Sequence, residues 1–346
     1  MGLKRAGTVF AAASVLALLA SCGGGEKRKD VVVVYSPHGV DLEEEVKQAF
    51  EAAYPGRTLE ILEMGGGEIL SRIRGEQERP ACDVWWGGAP GDFKRAEAEG
   101  LLEPYAPAWT QALPAEAKSP TGAWAGMYLT PEVIMFNTQK VKREEVPTTW
   151  EGLLDEKWKG RIVVRDVRPS ATMKTIFSAL IWREWKRTGD LESGFAFLEK
   201  LHASTGAYAA NPQALYELLL GPNSYALTPW NMADALLQKH NHKRPFDFVL
   251  PKGTPVPVEP IALVKGGPHA EGARLFYDFV TSEEQALLHA GKFHRLPARR
   301  DLPKEKLPEW MRELNEKLEP LPLDWDELDR HQEAWIARWQ SQIKTK

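Results

Sequence analysis

Five places in this sequence end a strand-like run on glycine, small hydroxyl or charged residues just before a helical pattern: 36–39, 65–67, 86–88, 165–172 and 228–231. Backbone N–H groups at a helix start, together with the helix dipole, form a site for phosphate or carboxylate. Ser170, Ala171 and Thr172 suit this best, with Arg165 or Arg168 to supply charge. Ser170 reads equally well as a simple N-cap that needs no ligand. Gly66 and Gly67, in the triplet at 65–67, read equally as a tight turn. Gly87 and Gly88 follow a short apolar strand in the same way, and Ser36 follows the first.

His38 is the sharpest single residue, placed to donate a hydrogen bond to an anion or to cap its own loop. Trp86 and Trp230 form two aromatic walls if their strands carry them into a cleft, with Asn231 beside the second. Aromatic walls and anion-binding helix starts suit a small phosphorylated or otherwise anionic organic solute. A cation over the rings is the alternative, with Glu259 as its counter-charge. Thr130 completes the candidate set. Each tryptophan has a core reading as well, because strand register decides which way it points.

The elements that must position these residues alternate. The run Val31-Val32-Val33-Val34-Tyr35 has the look of a buried strand, followed by a helix over 41–54 with Leu42, Val46, Ala49 and Phe50 on one face. A strand at 58–63, a helix through Leu70 and Ile73, a strand at 83–86 and a helix at 90–99 continue the pattern. Such alternation predicts an α/β fold, a parallel sheet covered by helices on both faces. After Thr130-Pro131 a second set begins, with strands at 133–137, 161–165 and 225–227 and helices from 170 and over 191–201. Pro-Val-Pro-Val-Glu-Pro at 255–260 is an extended crossing segment, and 261–264 is strand-like. Trp325, Leu328, Trp335, Trp339 and Ile343 share one helical face, a docking stripe rather than a cofactor box.

Of 346 residues, 44 are basic and 48 acidic, and a net charge of −4 argues against a nucleic-acid partner. Two cysteines, Cys22 and Cys82, build no disulfide scaffold, and no spacing suggests a zinc site or a cofactor. Lys4-Arg5, an apolar run over 8–20 and Leu19-Ala20-Ser21-Cys22 describe a secretory signal with a bacterial lipobox. In that reading residues 1–21 are removed, Cys22 is lipidated, and 22–30 is a tether at the outer face of the membrane. An ordinary secretory signal with an incidental cysteine is the other reading. Cys82 is expected to be buried and inert.

With Val-Tyr-Ser-Pro-His-Gly at 34–39, Ala-Cys-Asp-Val-Trp-Trp-Gly-Gly at 81–88, Gly-Leu-Leu-Glu-Pro-Tyr at 100–105, Phe136-Asn137, Trp158-Lys159-Gly160-Arg161 and Ile261-Ala262-Leu263-Val264-Lys265-Gly266, nearly the whole mature chain resembles bacterial type II periplasmic solute-binding proteins of ABC transporters, in the branch labelled ferric-iron binding. The resemblance implies two lobes, each a mostly parallel sheet flanked by helices, joined by two crossing strands near 127–132 and 255–261. Lobe 1 is then 31–128 with 261–346, and lobe 2 is 129–260. A monomer would close on its solute and present it to an ABC permease. In iron binders of this branch a histidine placed as His38 coordinates the metal, with an acidic residue and two adjacent tyrosines. Here those positions fall on Gly88 and on Pro229-Trp230-Asn231.

The leading reading is therefore a lipid-anchored solute receptor for a phosphate ester or phosphonate, with ferric iron plus a synergistic anion through His38 as the alternative. A secreted hydrolase is the reading from another class. Neither a Gly-x-Ser-x-Gly elbow nor a His-Glu-x-x-His motif is present to support it. His240 and His242 read as part of a solvated charged loop.

Overall fold

The computed structural model describes residues 30–345. The expected secretory signal, Cys22 and the expected tether, up to residue 29, lie outside the described residues. The chain opens with β1 (Asp30–Ser36), α1 (Val40–Ala53), β2 (Arg57–Glu63), α2 (Gly66–Gly75), β3 (Val84–Trp86), α3 (Pro90–Ala98), β4 (Leu102–Glu103) and β5 (Ala125–Leu129). It crosses into β6 (Glu132–Asn137), β7 (Ile162–Arg165), α4 (Ala171–Thr188), α5 (Glu192–Ser204), β8 (Thr205–Ala209), α6 (Pro212–Leu220), β9 (Leu227–Asn231), α7 (Met232–His240) and β10 (Phe246–Val249). It returns through β11 (Val258–Val264), α8 (Ala270–Val280), α9 (Glu283–Phe293) and β12 (Leu296–Pro297), then ends with α10 (Glu309–Lys317) and α11 (Trp325–Trp339).

Two sheets result. The first runs β12-β5-β11-β3-β1-β2 with β4 against β11; the second runs β10-β6-β9-β7-β8. β1 pairs in parallel with β2 and β3, and β7 in parallel with β8 and β9. The other ladders are antiparallel, so the sheets are mixed rather than mostly parallel. The reason is topological: β6 and β11 enter their sheets directly from the opposite lobe, without the covering helix that a parallel connection requires. The apolar run at the start of β1 behaves as its composition demands, with Val32 and Val34 fully buried beneath Leu42, Val46 and Phe50 of α1.

The lobes join where β5 turns into β6 through Thr130-Pro131, and where residues 254–257 lead into β11. These two segments are hydrogen-bonded to each other: the Thr130 N–H donates to the Pro257 carbonyl at 2.9 Å and the Glu132 N–H to the Pro255 carbonyl at 3.0 Å. Leu129 and Val258, Glu259 and Pro260 thus belong to the first sheet, which shifts both expected boundaries by a few residues. A further segment crosses alongside, its Leu321 N–H donating to the Thr254 carbonyl at 2.7 Å.

The C-terminal helix departs from expectation. α8 and α9 stay with the first lobe, but α11 packs on α4 of the second, where Trp339 meets the Phe177 ring edge-on at 4.9 Å between centroids. Leu328, Trp335, Ile336 and Trp339 are buried there with Ile176, Phe177 and Leu180. The apolar stripe announced a docking face; sequence spacing carried no information about which lobe would receive it.

Candidate functional site

A cleft of about 760 Å³ opens between the lobes. Its first wall is made by the ends of β1, β2 and β3 and the starts of α1, α2 and α3, and its second by the ends of β7 and β9 and the starts of α4, α6 and α7. The hinge segments form its floor through Thr130, Pro257 and Glu259. This is where open α/β sheets place ligands, because side chains within a strand point to the sheet faces and only the loops beyond its end reach outward.

Eleven of the expected residues meet in this cleft: His38, Gly66, Gly88, Thr130, Arg165, Ser170, Ala171, Thr172, Trp230, Asn231 and Glu259. Ser36, Gly67, Trp86 and Gly87 do not line it. Ser36 is fully buried, its hydroxyl accepting the His38 N–H at 3.2 Å. Trp86 lies on the inner face of β3, fully buried against Phe276 and beneath the His38 ring at 4.5 Å. It is a core residue, as is Trp85, which takes the opposite face and stacks on Phe93 at 3.9 Å. Gly87 supports His38 from behind, with φ +93° and no room for a side chain.

The helix starts differ between the two walls. Ser170 and Asn231 cap their own helices: Ser170 Oγ accepts the Met173 N–H at 3.2 Å, and Asn231 Oδ1 the Asp234 N–H at 2.8 Å. On the first wall, α1, α2 and α3 begin at Gly39, Gly65 and Ala89 with no capping side chain. Arg165 faces them from the second lobe. Its Nη1 donates to the Ala209 and Asp166 carbonyls at 3.2 and 3.4 Å, and partial burial lowers its pKa.

Glu259 organises the hinge side. Its carboxylate accepts the Thr130 hydroxyl and lies 3.4 Å from His38 Nδ1 and 3.5 Å from Arg295 Nη1. Burial first, then the nearby Arg295 and His289, hold the His38 pKa well below the ordinary histidine value, so the ring is neutral. His38 Nε2 is enclosed without a partner. The other two positions that the resemblance names hold Gly88 and Pro229-Trp230-Asn231, which bring neither an acid nor a tyrosine, and among the described residues no three His, Cys, Asp or Glu side chains converge as a metal site.

Six acids and arginines of the cleft were not among the expected site residues: Asp41, Glu63, Glu68, Glu132, Asp234 and Arg295. Glu132 had a usable signal, a lone acid opening the otherwise apolar run Glu-Val-Ile-Met-Phe-Asn. Asp234 sits in the first turn of a helix, where an acid is ordinary. Arg295 enters from a loop distant in sequence and gave no signal at all.

At the cleft's rim the lobes touch. His242 Nε2 lies 3.2 Å from Asp41, and His240 stacks on His294 at 5.1 Å, so the pair expected in a solvated loop bridges the lobes instead. On the other side Lys94 of α3 reaches Asp326 and Asp329 of α11 at 2.7 and 3.0 Å.

A family model described as bacterial extracellular solute-binding protein matches residues 90–331. The chain belongs to that family. This solute-binding protein is 25% identical over 319 residues to a probable ABC transporter periplasmic-binding protein of Sinorhizobium fredii, covering 91% of this chain and 87% of the relative. It is 26% identical over 336 residues to a putative 2-aminoethylphosphonate-binding periplasmic protein of Salmonella typhimurium, covering 94% and 96%. Its fold matches that of iron-bound HitA from Pseudomonas aeruginosa with a TM-score of 0.73 at 20% identity, over 89% of this chain and 98% of the other. The protein is thus an extracellular solute-binding protein; members of this family carry solutes and are not enzymes. Among the described residues no helix is long and apolar enough to cross a membrane.

Proposed function

We propose that the protein captures a small anionic organic solute, of the phosphate-ester or phosphonate type, in the interlobe cleft and delivers it to its permease. The observation that carries this reading is the arrangement of α1, α2 and α3, whose three starts without a capping side chain share the cleft with a guanidinium, Arg165, that makes no salt bridge among the described residues. Such amides and a fixed cation replace the hydration shell of an anionic oxygen with oriented donors. The hinge pairing at Thr130 and Glu132 supports closure of the lobes as a shift of population toward the form in which both walls reach the solute. Lipidation at Cys22 is part of the same proposal: the tethered protein would stay at the membrane surface beside the permease.

The test is a ligand screen on the mature protein. Co-purifying solute is identified by mass spectrometry, and phosphate esters, phosphonates and iron(III) are compared by thermal shift and calorimetry. A phosphate ester or phosphonate is expected to bind with Kd at or below about 1 μM, worth about −8 kcal/mol. Tight iron(III) binding with no response to these anions would overturn the reading. For the anchor, a diacylglyceryl Cys22 at the N-terminus of the native protein is expected, and an unmodified N-terminus elsewhere rejects it.

A further inference from the structure

Glu132 opens β6 at the hinge and is 1% exposed. Its main-chain carbonyl accepts the Thr254 hydroxyl, but its side-chain carboxyl makes no hydrogen bond among the described residues, and Oε2 is sealed without a partner. The residue nevertheless lines the cleft. Leaving a buried carboxyl without a donor is costly, and structures that tolerate it supply the donor from elsewhere.

The neighbours cannot supply it. Asp234 is engaged by Asn231, and Glu259 by Thr130, His38 and Arg295. Both add negative charge beside Glu132, and with burial they push its pKa well up. This environment favours a protonated Glu132, and a cation is the group that would exchange for that proton.

Sheet register fixes where this carboxyl stands relative to the anion-binding groups. Glu132 is directly opposite Asn231 and Val133 opposite Trp230 in the β6–β9 ladder. Ile162 is level with Leu227 in the parallel β7–β9 ladder, so three residues further on Arg165 comes level with Trp230. Arg165, Trp230 and Glu132 therefore sit on three adjacent strands, but side chains alternate along a strand, so Glu132 shares a face with Asn231 while Trp230 and Arg165 take the other, and all three reach the cleft only because they stand at the strand ends. The cleft thus holds a guanidinium without a salt bridge among the described residues and, on the opposite face of the same sheet, an unsatisfied carboxyl.

We propose that Glu132 binds a protonated amine of the solute, so that the cleft selects molecules carrying an ammonium group as well as an acidic group. This rests on the anion reading above and adds the second half of the solute. Asp234 and Glu259, whose negative charge already acts on Glu132, add to the attraction for a cation there. A hydroxyl in the same place would need only one bond to a protonated carboxyl and would draw nothing from the two neighbouring acids.

The experiment compares 2-aminoethylphosphonate, 2-hydroxyethylphosphonate and ethylphosphonate by calorimetry on wild-type protein and on Glu132→Gln. The amine is expected to bind at least tenfold tighter than the other two, and Glu132→Gln to erase that preference while leaving ethylphosphonate within about twofold. Equal binding of the three by wild type overturns the amine subsite and leaves the anion reading standing. Binding of none of them removes the amine subsite together with the phosphonate half of the anion reading. If Glu132→Gln fails to fold, the wild-type ratio and its reduction in Asp234→Asn decide the matter.

Discussion

The His38 imidazole fills the space that any side chain at residue 87 would need. Gly87 has φ +93°, and a Cβ built on it would overlap the His38 ring. Two penalties therefore add for Gly87→Ala: a left-handed backbone that alanine rarely adopts, and overpacking against a buried ring. Together they predict a loss of about 3 kcal/mol in unfolding free energy, read from urea titration. Solute affinity should fall as well, since displacing His38 breaks its 3.4 Å approach to Glu259. A variant as stable as wild type would show that the loop at 87–88 can rearrange freely.

Arg165→Gln should weaken ethylphosphonate binding about 10- to 100-fold, the range expected when a charge-assisted contact to an anion is lost. The unliganded protein should lose no more than about 1 kcal/mol, because the two bonds Arg165 makes to main-chain carbonyls are long, at 3.2 and 3.4 Å. Calorimetry and a melting curve on the same sample separate these effects. A large drop in stability with unchanged affinity would make Arg165 a purely structural residue.

The parts of this protein legible in its sequence are those set by local chemistry. A β-branched run followed by small residues and a helix start can fold in few ways, so β1, β2, β3 and the loops behind them fall where the pattern puts them. Eleven of the candidate residues meet in one cleft for the same reason. Trp86 and Trp230 show where this stops. Trp86 ends β3 and Trp230 is next to last in β9, and both adjoin glycine or polar residues, yet one packs on Phe276 inside the lobe and the other lines the cleft. Strand phase decides between them, and a one-residue difference in phase is invisible in a three-residue strand. Arg295 and the α11–α4 contact are long-range pairings, for which a single sequence holds no record of the partner.

Buried ionisable groups predict opposite responses to acid. Burial and Arg295 keep His289 neutral down to about pH 3, whereas in the unfolded chain it protonates near 6.5. The unfolded state thus binds more protons between those values, and stability drains away as the pH falls. Relative to His289→Gln, wild type should lose about 2 kcal/mol between pH 7 and pH 5. Glu43 works the other way: burial lifts its pKa to about 7, so the folded state takes up the proton first and gains stability over the range down to the ordinary carboxyl value. Glu43→Gln should therefore make the acid loss steeper. Urea titrations of the three proteins at the two pH values check both signs.

α11 touches both lobes, but by different physics. Against α4 it buries Trp335, Ile336 and Trp339, the last completely. Against α3 it offers Asp326 and Asp329 to Lys94, whose side chain is 29% exposed. Truncating a buried tryptophan leaves a cavity that the surrounding helices cannot refill, so Trp339→Ala should cost about 3–5 kcal/mol. Lys94→Ala removes a partly solvated ion pair and should cost about 1 kcal/mol or less. Its effect should instead appear between the lobes: without Lys94 the α3 side of the closed form loses its charged contact, and a solute that binds by closure should dissociate faster. Stopped-flow tryptophan fluorescence on the two variants reads this directly. If Lys94→Ala leaves the dissociation rate unchanged, the α3–α11 contact persists whether the lobes are open or closed.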